Sequence, residues 1–465
     1  MIDTPNREYN IYKEDYEDLD DFFAGERRVK DKGTRYTPCI EGHRGKPTAY
    51  QTYKEFGILY NALQRTRQGL VGAMLRKPVD IQAPKIIENI LPEIMIDGGS
   101  FNDLVRETCR NVIGFGRFGI LSDIDDNEQP YCATYSAPTI IDWPRQRKRY
   151  TKQKIRLIEA IEKPKPDDES ETDIITQIRQ LEIDDKGKYL VTIHQKIGDD
   201  WQTVEVREPK YKGSRLDYIP FTFFGSSSNI PTPSRPPLLD LLYLCKGHWK
   251  LTVAYQYGLN FAGLPTPVIC GDFGIDGQLP LGPGAALIAS DPASNATFLM
   301  TGGQGLAEME RGLDRLERQM AIVGARMLEE QRPGVEAAET VRLRSSGDSA
   351  TLSDIALNVG NGLTQVVRHL GAWYGIKPTE INIGVNTDFI DTSLSPQDIQ
   401  ALLQAVQSGQ ISQETFLWNL KQGEILQPGR TIEDETEAIA DDKERNKRDN
   451  PGLAGLAGSF LNKEQ

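Results

Sequence analysis

From residue 306 onward, Leu306, Met309, Leu313, Leu316, Met320, Val323 and Met327 recur at strict three- and four-residue spacing, while charges of both signs occupy the positions between. Spacing that averages 3.5 residues returns to one side of a helix, so residues 306–330 carry a single apolar seam along a long helix. Such a seam predicts helix–helix packing, either inside the chain's own core or between subunits. A second helix of about 25 residues, roughly 37 Å at about 1.5 Å per residue, is expected from Leu238, because no proline interrupts an apolar run that ends near Gly263-Leu264-Pro265. Residues 263–304 between them are rich in Gly and Pro and hold short strand candidates at 266–269, 286–289 and 297–300, the pattern of a compact β insert. After a break at Arg332-Pro333-Gly334 and a polar stretch to Thr351, Leu352, Ile355, Val359, Leu363, Val366, Leu370 and Trp373 mark one face of a third long helix.

The rest of the chain adds sheet and further helices, which makes the class α+β. Residues 1–50, acidic and then mixed with turn glycines, read as an arm of low intrinsic order. Residues 50–113 are helix-rich, with Phe56, Leu59, Tyr60 and Leu63 on one face and Leu70, Met74 and Leu75 on another before Pro78. Strand patterns at 118–121, 131–135, 139–143, 155–158, 189–193 and 201–204 predict a mixed or antiparallel sheet, interrupted at 163–171 by a polar loop. Ser395-Pro396-Gln397-Asp398 starts a helix with Ile399, Leu402, Leu403 and Val406 on its apolar side, and the segment beyond Thr431 reads as a mobile tail that a partner would order.

Motifs that would carry chemistry are incomplete. Gly114-Phe115-Gly116-Arg117-Phe118-Gly119 has dinucleotide-loop spacing, yet it leads into a strand instead of opening a helix, so tight helix-to-strand joining accounts for the glycines. Asp272-Phe273-Gly274 lacks the other kinase motifs. Asp123, Asp125 and Asn127 begin like a calcium loop, but Glu128 replaces the turn glycine and Thr134 the final acid, which leaves a solvated turn between strands. His43, His194, His248 and His369 are far apart, and no metal, cofactor or nucleophile-base set is expected. Cys39, Cys109, Cys132, Cys245 and Cys270 read as reduced, buried thiols. With 54 Lys and Arg against 67 Asp and Glu in 465 residues, a formal charge of −13, a generic basic nucleic-acid binder is excluded. One basic run stands out: Arg145, Arg147, Lys148, Arg149, Lys152 and Lys154, continuing to Arg156 without an acid, reads as a solvated loop or as a phosphate or acidic-partner contact.

The order of elements resembles the portal proteins of tailed bacteriophages. Ile219-Pro220-Phe221, Pro236-Pro237-Leu238-Leu239-Asp240-Leu241 with His248, and Gly263-Leu264-Pro265-Thr266-Pro267-Val268 look like the passage from wing to stem and clip. Residues 320–328, Glu339-Thr340 and the helix after them look like a branch of portals long labelled only as a domain of unknown function. The resemblance implies a wing with N-terminal arm (1–236), stem helices (237–262 and 305–330) around a small α/β clip (263–304), a tunnel loop (331–351), a long wing helix (352–376), and a helical crown with C-terminal tail (377–465). It further implies a homo-oligomeric ring of twelve subunits at a capsid vertex of the virion, assembled in the host cytoplasm, with double-stranded DNA passing through its channel. Its partners would be the major capsid protein, the terminase and a head–tail adaptor, with no membrane and no enzymatic activity. Arg332, Arg342 and Arg344 would meet DNA in the tunnel, Asp272 and Asp276 the terminase or adaptor at the clip, and the 306–327 seam would pack the stem. The alternatives are another head–tail adaptor or scaffold protein, or, from a different class, a metal-dependent nuclease using Asp123 or Asp125.

Overall fold

Capping residues such as Asn61 and Ser100 and turn glycines such as Gly25 and Gly116 set several element boundaries in the computed structural model, which describes residues 2–144, 153–165, 168–263, 266–270, 293, 295–299, 304–324, 338–387, 396–422, 425–426 and 432–449. The first of its two compact units (Met1–Asp388) opens with α1 (Tyr9–Ala24), α2 (Glu26–Asp31), α3 (Pro47–Glu55), α4 (Ala62–Met74), β1 (Asp80–Gln82), α5 (Lys85–Glu88) and α6 (Phe101–Phe115). The expected loose N-terminal arm is therefore helical. Tyr16, Leu19 and Phe22 are fully buried on one side of α1, and that burial outweighs the acidic composition that made the segment look solvated. The face expected from Phe56 to Leu63 is also broken. Gly57 sits so close to Trp249 that an added Cβ would lie 2.3 Å from the indole, and Asn61 restarts the helix by accepting the Gln64 N–H at 3.0 Å.

Gly116 ends α6 in the left-handed region at φ 69°, and the chain turns directly into β2 (Arg117–Ile124), which agrees with a glycine-rich join. Then come β3 (Pro130–Ser136), β4 (Ile140–Asp142), β5 (Lys154–Lys165), β6 (Asp168–Ile183), β7 (Tyr189–Ile197), β8 (Asp200–Arg207) and β9 (Phe221–Gly225). They form two antiparallel sheets, β3-β2-β9 and β4-β5-β6-β7-β8. The loop expected at 163–171 is instead strand on both sides of a short connection, with β5 and β6 paired from Lys154↔Glu182 to Lys165↔Asp168. Ladder hydrogen bonds satisfy that backbone whatever the side-chain polarity, so composition misleads there. Leu121, Tyr135, Phe221 and Phe223 of the smaller sheet share one core with Leu157, Ile178, Leu181 and Val191 of the larger one.

The first unit is completed by α7 (Leu239–Gly263), the paired strands β10 (Thr266–Cys270) and β11 (Asn295–Leu299), α8 (Gln304–Val323), α9 (Ala338–Trp373) and β12 (Asn382–Gly384). The strand candidate at 286–289 lies outside the described residues. The helix expected from Leu352 begins at Ala338, so the backbone of 338–351 is helical where a polar loop was expected. Its apolar face covers the smaller sheet: Gly362 lets Phe224 approach, Trp373 Nε1 donates to the Ser122 carbonyl at 3.2 Å, and Ser122 Oγ donates to the Val366 carbonyl at 3.1 Å. Strand β12 pairs with β1, which ties the end of this unit to its helical start.

The second unit (Phe389–Gln465) contains α10 (Pro396–Gln407), α11 (Gln413–Gln422) and α12 (Ile432–Asp449). Residues 432–449, expected as tail, are helical, and Glu433, Asp434 and Glu435 in the first turn favour this by meeting the positive end of the helix dipole. Among the described residues no helix is long and apolar enough to cross a membrane.

Asp123 departs from the solvated turn expected of it, because β2 runs through Ile124 and carries it fully buried, with Tyr189 Oη 3.4 Å from its Oδ2. Burial pushes the carboxyl up to about 6, only partly offset by the Ile124 backbone, Arg179, Arg207 and Tyr189. The native state thus holds this proton more tightly than the unfolded chain. Its stabilising contribution is complete below the unfolded value near 3.8 and is lost as pH rises through about 6. Between pH 5 and pH 8, denaturant titrations should show wild type losing roughly 1–3 kcal/mol more stability than Asp123→Asn; equal losses would contradict this.

Candidate functional site

Helices α7 and α8 pair antiparallel, and the contacts between them fix the register. Leu241 lies against Gly324, Cys245 Sγ is 4.0 Å from Met320 Sδ, His248 Nε2 is 3.1 Å from Glu317 Oε1, Leu251 covers Gly312, and Leu306 covers Gly258. Cβ atoms added at Gly312 and Gly258 would stand 2.9 and 2.8 Å from those leucine methyls. Small residues on each helix thus receive leucines from the other, and the two backbones approach closely. Of the predicted seam, Met320 is fully buried and Leu306, Met309, Leu313 and Leu316 are partly buried, while Val323 is 50% exposed beside Ile322 at 61%. Met327 lies outside the described residues.

Burial falls along α7. Leu241, Leu242, Cys245, Trp249 and Val253 are buried, Ala254 through Gly258 are partly covered, and Leu259 and Asn260 are exposed. Tyr257 still packs on His43, Tyr53 and Phe56, so the pair leaves the helical body only after Gly258 and runs on to β10 and β11.

Buried charge locks the inner end of α7 to the N-terminal helices. Asp18, 5% exposed, accepts from Tyr36 Oη and Arg35 Nε, both at 2.7 Å, and pairs with Lys246 of α7. Asp21, 1% exposed, accepts from Tyr36 Oη at 2.7 Å and Arg28 Nε at 2.9 Å, with Lys32 Nζ at 3.3 Å. Burial alone would raise the Asp18 carboxyl, but hydrogen bonds from Lys246, Tyr36 and Arg35 hold it below the ordinary range. Burial and the two carboxylates push the Tyr36 phenol well upward, so it stays a donor, its one proton serving one carboxylate at a time. Trp249 Nε1 donates to Thr37 Oγ1 at 3.0 Å, and His43 Nε2 lies 3.0 Å from Tyr257 Oη. None of these clamp residues is evident from periodicity. The available signal is the placement of Asp18 and Asp21 among the apolar positions Tyr16, Leu19 and Phe22.

The other predicted residues do not gather into one site. Asp272, Asp276, Arg332, Arg145, Arg147, Lys148, Arg149 and Lys152 lie outside the described residues. Arg342 and Arg344 fall in the first turns of α9, and Lys154, expected in the basic patch, pairs with Glu182 at 2.8 Å within the sheet. Asp125 Oδ1 accepts the N–H groups of Asn127 at 2.9 Å and Gln129 at 2.7 Å, shaping its own turn, while Asp123 faces the core, so the two carboxylates form no shared cation site. Among the described residues no three His, Cys, Asp or Glu side chains converge as a metal would need. The described cysteines are free thiols, but Cys39 and Cys270 are exposed, contrary to the expectation of burial.

Residues 237–374 match the model of a family described as a domain of unknown function, DUF4055. No curated protein matches the sequence significantly. Among solved structures, the chain is similar to a chain in the virion of a native gene transfer agent particle, at 12% identity over 78% of this chain and 91% of that one, with a TM-score of 0.39. It is likewise similar to a chain in the neck of the empty particle computed with C6 symmetry, at 11% identity, 78% and 91% coverage and TM-score 0.39. A third similar chain is in the neck of the native particle computed with C12 symmetry, at 13% identity, 76% and 87% coverage and TM-score 0.38.

Two substitutions test the packing. Lys246→Met strips a cation from buried Asp18 and should lower stability by about 2 kcal/mol, discounted for the partial exposure of the lysine. Gly258→Val forces Leu306 out of its seat and should cost roughly 1–3 kcal/mol. Denaturant midpoints unchanged in both would show that neither contact holds α7 in place.

Proposed function

We propose that the chain is the subunit of a portal, a ring-shaped channel at one vertex of a virus-like capsid through which double-stranded DNA is packaged and ejected. The observation that carries this reading is the antiparallel α7–α8 pair, which leaves an α+β body and carries the β10–β11 strands at its far end. In this reading α7 and α8 are the stem, residues 263–304 the clip, residues 331–351 the tunnel segment, residues 352–376 the long wing helix, and residues from 377 onward the crown. The exposed Ile322 and Val323 of α8 and Leu259 of α7 supply apolar surface for neighbouring stems.

Channel passage needs weak contact with DNA, and a subunit of net charge −13 repels phosphate over most of its surface. Arg332, Arg342 and Arg344 give the tunnel segment local contacts that can be made and released. Asp272 and Asp276, in the clip segment by sequence, are assigned to contact with terminase and then adaptor. The chain performs no chemistry itself in this scheme, and the terminase supplies the motor.

Negative-stain images of the purified protein should show rings of about twelve copies with a central hole. Ile322→Asp, placed on an exposed position, should leave the subunit folded by circular dichroism but shift it to monomers. Neutralising Arg342 and Arg344 together should reduce DNA retention in packaged particles. A wild-type chain that remains a compact monomer and cleaves DNA with added Mg²⁺ would overturn the proposal.

A further inference from the structure

Three acid–base dipeptides recur along α8: Glu310-Arg311, Asp314-Arg315 and Glu317-Arg318, with all six side chains exposed. Each residue turns an α-helix by about 100°. Counted from the middle of the seam that faces α7, the three acids lie roughly 90° round to one side, and the three arginines lie roughly 170° away, on the back of the helix. The two signs thus form separate stripes about 100° apart. Ile322, 61% exposed, continues the arginine stripe, since 311, 315, 318 and 322 keep three- and four-residue spacing.

Within the chain these charges are little used. Arg311 pairs with Glu308 at 2.7 Å, and Glu317 reaches His248 at 3.1 Å while its side chain stays 47% exposed. Among the described residues, Glu310, Asp314, Arg315 and Arg318 have no ion pair or side-chain hydrogen bond. Along each stripe like charges stand one turn apart, Glu310 by Asp314 and Arg311 by Arg315, an arrangement that disfavours an isolated helix. An oppositely charged surface laid alongside would reverse that sign.

We infer that the acidic stripe of α8 in one copy docks on the arginine stripe of α8 in the next copy. Copies related by rotation about a ring axis stand at the same height. The acid of each dipeptide is then only about 1.5 Å along the helix from the level of the neighbour's arginine, so Glu310–Arg311, Asp314–Arg315 and Glu317–Arg318 form together across one interface. The stripes differ, so the contact is head to tail and each copy keeps one stripe free for the next. In a ring of about twelve, the two neighbours of a helix lie roughly 150° apart, and long arginine side chains span the difference from the ~100° between stripes. This rests on the portal reading and deepens it, because it names the side chains that join neighbouring stems.

The test is sedimentation of the full chain across protein concentration at low and high salt. One variant carries Glu310→Arg and Asp314→Arg, a second carries Arg315→Glu and Arg318→Glu, and a third carries all four. Each double variant presents one sign on both stripes and should raise the concentration for half-assembly by about tenfold or more, with the wild-type advantage shrinking at high salt. The fourfold variant, with its stripes exchanged, should recover most of the loss. So should a one-to-one mixture of the two doubles, because alternating copies again meet opposite charge at every interface of an even-numbered ring. Recovery in the mixture also shows that the doubles were folded, and a purely intrachain role for these residues would not produce it. Wild-type rings indifferent to both double reversals, or no gain from either the mixture or the fourfold variant, would overturn the stripe contact alone. A wild-type chain monomeric at every concentration would overturn the ring reading and this contact with it.

Discussion

The buried carboxylates Asp18 and Asp21 impose the constraint on which the helical body depends. Each is desolvated by α1's own packing, and a desolvated carboxylate is tolerable only with cations and donors held against it. Those partners come from three places: Arg28 and Lys32 at the end of the N-terminal helices, Arg35 and Tyr36 in the turn that follows, and Lys246 on α7. The first two groups are local in sequence, but Lys246 is not. The charge requirement of α1 thus fixes where α7 starts its run, and Trp249 and Tyr257 extend the same attachment one and three turns further through Thr37 and His43.

Once its inner end is anchored, α7 has one direction left, and α8 must follow it. The Leu–Gly contacts in both directions set their separation, and His248 with Glu317 adds a polar crossing that fixes register where leucines alone would allow sliding by a turn. The sheets contribute rigidity from the other side. Strand β9 hydrogen-bonds to β2, α9 lies over both through Phe224 and Trp373, and the chain passes from β9 into α7 through Pro236-Pro237. Body and helix pair are therefore joined through residues 226–238, of which Pro236 and Leu238 are buried.

Periodic features were legible because burial and repeat coincide. The seam from Leu306 to Met320, the run from Leu239 to Gly263, and strands such as 118–121 and 189–193 all put apolar residues where their geometry needs them. Features whose reason is long-range were not legible. Asp18 looked solvated because one of its cations, Lys246, lies 228 positions away. Gly57 breaks a helix for the sake of Trp249, and residues 163–171 looked like a loop because their pairing partner, not their composition, makes them strand. Asp123 was misread for the same reason, since only the packing of one sheet on the other shows that it faces Tyr189 and Arg179 instead of water. Within the candidate site, the helix pair was visible in the sequence, whereas the clamp that aims it was not.

Burial along α7 falls toward its outer end. A soluble helix stabilised within one chain buries a stripe along its whole length, yet this one is fully buried only as far as Val253 and touches the helical body only as far as Tyr257. Beyond that point Tyr255 and Tyr257 are only partly covered, Leu259 is open, and α8 contributes the exposed Ile322 and Val323 at the opposite end of the pair. Apolar side chains left uncovered on a rigidly anchored helix pair lose little conformational entropy when a second surface arrives, so the hydrophobic gain of covering them is largely retained. The clamp thus orders the pair in advance within the single chain, and in the proposed ring it would leave the uncovered surface for neighbouring copies.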